Sequence, residues 1–337
     1  MAEGAVPSFV DESTYMGFLD SCKGKNVLIS GCGGGCDVFG AVVPWAKLRT
    51  TAKSVTLLNL TFTQLQVLKA TAEEVGPAVF KVHPTVKIPT IGDTYYPEAL
   101  LAKEIGVPVY ALAKSVTIET LTKSYELLIA KEFPDQTKNK PDTLILFDGG
   151  CDAFLTGEET GLATPVEDMM HIKSVLSLDI PTKRLLAIGA NVDCGHGVVQ
   201  EELDRRLADT AASGTMLFSQ LLSLPSADGK KEDTYGAQLY HDVVMKCDPV
   251  RTIVQSLVCA ALEGHRGLYT PKHLVRRIRE NMVPITDQTC TLFGFDLEKV
   301  AAEVRYLPAF TPDCGTAKVL RLLAAWEDGR DARRRKK

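Results

Sequence analysis

The sequence predicts an α/β protein: a Rossmann-like, doubly wound, mostly parallel sheet with helices on both faces and an α-rich C-terminal half. Three observations predict it. Short apolar runs alternate with stretches of helical length and spacing between Asn26 and Ala190. Those runs are apolar at successive positions, as strands covered on both faces must be. Gly-rich segments follow the runs at 31–41, 148–150 and 189–197, where a strand would hand over to a helix.

Each element follows from its local pattern. Residues 1–24 form an entry segment with a short helix over Glu12–Ser21. NVLIS (26–30) reads as a buried strand, GCGGGCDVFGA (31–41) as a tight turn, VFGAVVPWAKLR as a helix and SVTLLNL (54–60) as the strand that completes a βαβ unit. A helix over 62–75 leads to the strand AVFKVHP (78–84). PEALLAKEIG is a helix closed by Gly106, VPVYALA (107–113) a strand, and VTIETLTKSYELLIAKEF (116–133) a helix followed by Pro134. DQTKNKPD (135–142) is a polar turn before the strand TLILF (143–147). EDMMHIKSVLSL (167–178) is helical, with Thr164 as N-cap, Pro165 as first residue and Glu167 completing a capping box. RLLAIGA (184–190) is the next strand.

Beyond residue 197 the pattern turns helical. VVQEELDRRLADTAA, TMLFSQLLSL, GAQLYHDVVMKC and VRTIVQSLVCAALEG read as helices, SADGKKEDTYG (226–236) as a polar loop and TCTLFGFDL (289–297) as a late strand. The expected organisation is therefore the entry segment, one α/β domain over 25–325 (a βα core over 25–196 and helical additions over 197–325), and a disordered basic tail over 326–337.

Composition narrows the function classes. In 337 residues, 38 Lys and Arg against 42 Asp and Glu give a net charge of −4, with no bulk attraction to nucleic acid or an anionic membrane. No apolar run approaches the roughly 20 residues that span a bilayer. The opening MAEGAVPSFVDESTY is acidic, with neither the apolar core of a secretory signal nor the Arg content of a transit peptide. Nine scattered Cys suit a reducing compartment, so a cytoplasmic location is expected.

The chemistry concentrates in three loops. Gly31, Gly33, Gly34 and Gly35 let the backbone turn sharply and bring bare amides to an anion. No Walker A motif is present. The dinucleotide fingerprint fails at Cys36, and the second strand ends in Asn59 where a ribose-binding acid is expected, which disfavours NAD. GGCDVF (34–39) recurs as GGCDAF (149–154), which sets Asp37 and Asp152 beyond two strand ends, with Asp148, Gly149 and Gly150 leading into the second copy and Glu158 after it. Clustered carboxylates suit a hard cation such as Mg²⁺, a hydroxyl-rich ligand or acid/base work. Both Asp also suit helix N-caps, and capping alone is the rival reading. GANVDCGHG (189–197) adds Asp193 and His196, a proton-transfer pair against the rival of an exposed loop His. Asp168 and His171, three apart on one helix, read as a solvated pair. Cys32, Cys36, Cys151 and Cys194 fall on the same predicted edge, but without a CxxC pair they read as buried thiols rather than a zinc site. Lys114, just past a strand end, reads as a surface residue or an anion contact.

Together GGGCDVFGA, FDGGCDAFLTGEETGLATPVEDM and NVDCGHG followed by EELDRRL resemble an uncharacterised "domain of unknown function" family, best populated in archaea, over roughly residues 25–310. The resemblance implies a Rossmann-like fold and a shared ligand site. It carries no activity. It maps onto Asp37, Asp148, Gly150, Asp152, Glu158, Gly161, Asp168 and Asp193, with Cys36 and Cys151 standing where the family pattern has Gly.

The resulting expectation is an enzyme for a small phosphorylated or nucleotide-like metabolite, with hydrolase or lyase chemistry. The 31–36 amides and Gly149, Gly150 and Glu158 bind the ligand. Asp148 and Asp152 hold Mg²⁺, Asp37 supports them, and Asp152, Asp193 and His196 move protons. The alternatives are a non-catalytic sensor of the same ligand class and a homo-oligomeric scaffold built on the C-terminal helices.

Overall fold

Asn26–Gly31 is buried at every position, so this strand has no solvent face and belongs at the centre of a sheet. The computed structural model, which describes residues 11–89, 94–113, 117–134, 140–225, 236–247, 251–279 and 283–335, places it there. In chain order the strands are β1 (Asn26–Gly31), β2 (Ser54–Thr61), β3 (Glu73–Gly76), β4 (Val79–Val82), β5 (Val109–Ala113), β6 (Thr143–Gly149), β7 (Thr182–Ile188), β8 (Met216–Leu221), β9 (Gly267–Leu268), β10 (Pro284–Ile285) and β11 (Thr291–Asp296). Nine of them form one sheet in the order β3-β4-β5-β2-β1-β6-β7-β11-β8, while β9 and β10 pair separately. The centre, β5-β2-β1-β6-β7, is parallel. Both edges are antiparallel.

Alternate strand residues feed two apolar layers. Val27, Ile29, Ile145, Phe147, Leu186 and Ile188 face one layer, which is covered by helices that include Val42–Thr51, Pro97–Ile105, Ala237–Cys247 and Ile253–Leu262. Leu28, Leu144, Leu146, Leu185 and Ala187 face the other, covered by Ile118–Glu132, Val166–Leu176, Gln200–Ser213, Leu297–Glu303 and Thr316–Arg334. Each fully buried Leu or Ile contributes roughly 1.5–3 kcal/mol. The α/β fold with helices on both faces is thus as the periodicity predicts. From β1 the chain winds outward over the first layer. It then returns to β6, and the helices that precede and follow β6 lie on the second. The seam between β1 and β6 is the switch point of the sheet, where open α/β folds bind ligands beyond the strand ends.

Four expectations are corrected. The expected helix over 62–75 stops at Thr71, and Glu73–Gly76 turns back as β3 to pair with β4. TMLFSQLLSL is not a helix: Met216–Leu221 is edge strand β8, because β11 offers it an antiparallel ladder. The region after residue 197 therefore adds two strands to the sheet as well as helices. The tail is ordered as far as the structure describes it, since the helix Thr316–Arg334 runs through 326–334 and buries Arg330. Finally, Pro165 takes the N-cap position of Val166–Leu176 without a side-chain cap, because Thr164 turns its amide and hydroxyl toward Asp152. Lys114 and most of the polar segments 135–142 and 226–236 lie outside the described residues.

Candidate functional site

Parallel pairing aligns the carboxyl ends of β1, β6 and β7: Gly31 stands opposite Phe147, and Gly149 opposite Ile188. The three chemistry-bearing loops therefore leave the sheet side by side. They enclose a cavity of about 360 Å³, within the usual range for small-ligand sites. Its carboxylate wall is Asp37, Asp148, Asp152, Glu167, Asp168 and Asp193, with His196 at the rim. Gly33, Gly34, Gly35 and Gly149 line it through the backbone, Cys36 lines it beside them, and Phe62, Tyr95 and residues 251–254 complete the lining.

Asp37, Asp148 and Asp168 converge most tightly, each with a carboxylate oxygen within 4.8 Å of the others. Asp148 and Asp168 are 2% and 3% exposed. Oδ2 of Asp148 and Oδ1 of Asp168 accept no hydrogen bond from the described residues. A buried carboxylate oxygen without a donor is costly. Two of them, on residues whose carboxylates converge with a third, fit a hard cation such as Mg²⁺, which takes oxygen ligands. The remaining carboxylates are held. Asp152 Oδ2 accepts from the Thr164 amide at 3.2 Å and hydroxyl at 3.4 Å, and Asp193 Oδ2 accepts from the Cys151 amide at 2.7 Å.

Crowding these acids away from water shifts their protonation. Burial, reinforced by mutual repulsion, holds the carboxyls of Asp37, Asp148 and Asp152 well above the usual range. Asp168 is pushed up to about 7, by burial first and then by the neighbouring Glu167. Burial also raises Asp193, against the lowering effect of its hydrogen bonds to Cys151. Removing water from like charges disfavours the ionised state. A divalent cation would reverse that preference.

A family model described as Protein of unknown function (DUF1152) matches residues 28–312. The chain belongs to this family. No curated protein and no solved structure matches it. The matched span of this DUF1152 protein contains every carboxylate of the cavity wall.

The glycines of the DUF1152 loop make room for carboxylates rather than presenting an open set of amides. A Cβ on Gly33 would stand 2.7 and 2.8 Å from the Asp168 oxygens and 3.0 Å from Asp37 Oδ2. Gly34 and Gly35 adopt φ of +89° and +61°, open to glycine without strain. The amides of Cys32, Gly35 and Asp37 bond to Phe147, Leu60 and Gly34 carbonyls, and that of Gly33 bonds to the Asp37 carboxylate. Gly31 ends β1 against the Asn59 side chain. Asn59, where a ribose acid is sought, is buried and donates to the Gly35 carbonyl at 2.8 Å and to Glu98 at 2.6 Å. Carboxylates dominate this cavity, and Arg251 is the basic side chain among the described residues that line it, with His196 at the rim.

Asp37, Gly33, Gly34, Gly35, Asp148, Gly149, Asp152, Asp193 and His196 are brought together as the motifs predict. Gly150 stands behind the wall against the Asp193 carboxylate. Glu158 is not at the site: its carboxylate is half exposed and pairs with Arg333 at 3.2 Å. The 156–161 stretch does not close over the cavity, because the C-terminal helix clamps it. Trp326 donates to the Gly157 carbonyl at 2.8 Å, and buried Arg330 to that of Glu159. Neither Asp37 nor Asp152 acts as an N-cap: the cap positions are Cys36 and Cys151. His196 is 41% exposed, and its Nδ1 lies 3.9 Å from Asp193 Oδ1.

Asp168 and His171 are not a solvated pair, since both are buried. His171 Nδ1 donates to the Cys32 carbonyl at 2.9 Å, and Nε2 meets the Tyr125 hydroxyl. Burial lowers its pKa to about 4, so it is neutral and fixes the start of the Gly loop. Among the described residues no thiols converge as metal ligands: Cys36 meets the Tyr95 hydroxyl at 3.2 Å, and Cys32 and Cys151 are buried. Part of the lining has no motif. Phe62, Tyr95 and residues 251–254 reach the cavity only through tertiary packing, and nothing local in the sequence marks them.

Proposed function

We propose that this protein is a divalent-cation-dependent enzyme that hydrolyses or eliminates a group from a small phosphorylated metabolite, nucleotide-like compounds included. The observation that carries this reading is the Asp37–Asp148–Asp168 constellation, with its two unpartnered buried oxygens, at the switch point of the sheet. A cation there would supply charge neutralisation for a phosphoryl oxygen and acidify a bound water. Asp37, Asp148 and Asp168 would ligate it, which transfers the main metal role from Asp152 to Asp168. Asp152, oriented by Thr164 and with its carboxyl raised first by burial and then by repulsion from Asp168, would act as the acid toward a leaving oxygen. Asp193 and the exposed His196 would exchange that proton with solvent.

The test is a thermal-shift screen of nucleotides, sugar phosphates and carboxylates, each with and without Mg²⁺ or Mn²⁺. A ligand at 100 times its Kd stabilises by about 2.7 kcal/mol. At about 2–4 °C per kcal/mol that is a shift of roughly 5–10 °C. A cation-dependent shift confined to phosphorylated compounds is expected. A response to neither cation nor phosphate would overturn the reading.

A further inference from the structure

We propose that the substrate of this site is the phosphate ester of a hydrophobic alcohol, whose apolar part lies in a groove that continues from the carboxylate cavity. The proposal rests on the phosphate reading above and narrows it. The groove, about 430 Å³, lies between the start of helix Val166–Leu176 and helix Thr316–Arg334. Leu162, Pro165 and Val166 form one side and Leu320, Leu323 and Ala324 the other, with Glu167, Thr316 and Glu327 as polar members of the lining.

Continuity identifies the occupant. Thr164 and Glu167 line both the groove and the carboxylate cavity. Thr164 is held on Asp152, so the two spaces adjoin across an ordered residue. Ala163, beside it, adopts φ of +53°, a conformation that a non-glycine residue keeps only where its surroundings enforce it. The C-terminal helix holds the stretch just before Ala163, through Trp326 on the Gly157 carbonyl and Arg330 on that of Glu159. Leu320 is 53% exposed on the groove wall, apolar surface that a ligand would cover. A sugar or nucleoside would find only Thr164, Glu167, Thr316 and Glu327 as polar side chains, and would set its other polar groups against apolar wall. An alkyl or prenyl-like group would not.

The test titrates the full-length protein with inorganic phosphate and with ethyl, butyl and hexyl phosphate, each with and without Mn²⁺. Affinity is expected to rise up to about fourfold per methylene, the effect of burying about 0.8 kcal/mol of apolar surface each time. Leu320→Gln should flatten that gradient and Ala324→Trp should abolish it. Both positions are exposed, so neither change threatens folding, and both should leave Mn²⁺ affinity unchanged. A gradient that persists equally without Mn²⁺ supports the groove and removes the cation reading. The proposal is overturned if affinity is independent of chain length, if no phosphate ester binds, or if the gradient is the same in both variants. It is also overturned if light scattering finds a dimer that Leu320→Gln dissociates, for then a second copy covers the groove.

Discussion

The amide of Cys151 donates to Oδ2 of Asp193 at 2.7 Å, tying the loop after β6 to the loop after β7 across 42 residues of sequence. Gly150 permits this approach, because a Cβ there would run into the Asp193 carboxylate. The carboxylate wall is therefore built between strands, and substitutions on one loop should be felt on its neighbour.

Gly150→Ala should be destabilising. Displacing Asp193 or straining the loop costs about 1–3 kcal/mol, which lowers Tm by about 2–4 °C for each kcal/mol. Calorimetry on the cation-free protein measures this. An unchanged Tm would mean that the Asp193 carboxylate is free to move aside.

Asp148→Asn and Asp168→Asn should each weaken Mn²⁺ binding by more than the roughly 10- to 100-fold that loss of an outer hydrogen-bond partner causes. Gly33→Ala should weaken it too, since its methyl enters the space between Asp168 and Asp37. Titration followed by electron paramagnetic resonance gives the Kd. Wild-type affinity in Asp168→Asn would exclude Asp168 as a ligand.

Stability should depend on pH with a definite sign. Asp168 has a folded pKa of about 7 against an ordinary value of 3.8, so the folded chain keeps this proton longer than the unfolded one. Its contribution is fully present below about pH 4 and is lost as pH rises to about 7. Cation-free wild type should therefore lose stability relative to Asp168→Asn over that window, and excess Mg²⁺ should restore it. Parallel Tm curves for the two proteins would refute this account.

Asp152→Asn should separate catalysis from binding. Loss of a general acid costs roughly 10²–10⁴ in turnover, while Mn²⁺ and ligand still produce a thermal shift. If Asp152→Asn only weakens binding and the wild type turns over no phosphorylated compound, the sensor reading gains.

Arg330→Met tests the clamp. It leaves the Glu159 carbonyl without its buried donor, at about 1–3 kcal/mol. Hydrogen exchange should rise at residues 156–162 but not in β1. Uniform protection in both regions would show that the helix does not hold that stretch.

Much of this molecule is written in local sequence. β1, β2, β5, β6 and β7 each carry a short apolar run, and the repeated GGCD motif with NVDCGHG marks Asp37, Asp148, Asp152 and Asp193, because Gly and Asp at strand ends are local signals. What is not local was decided by tertiary structure. TMLFSQLLSL becomes β8 because β11, some 70 residues on, completes its ladder. Glu158 leaves the site for Arg333, and the basic tail becomes a docked helix, because buried carbonyls of the 157–159 stretch needed donors. Local pattern was enough to place the five parallel strands of the centre and the acids at the ends of β1, β6 and β7, but not the edge strands β3 and β8. Only the pairing of β1 with β6 and of β6 with β7 decided that those acids share one cavity, that Asp168 joins them there, and that an apolar groove opens beside them. Hydrophobic periodicity sets how a segment folds, but adjacency depends on contacts between segments far apart in the chain.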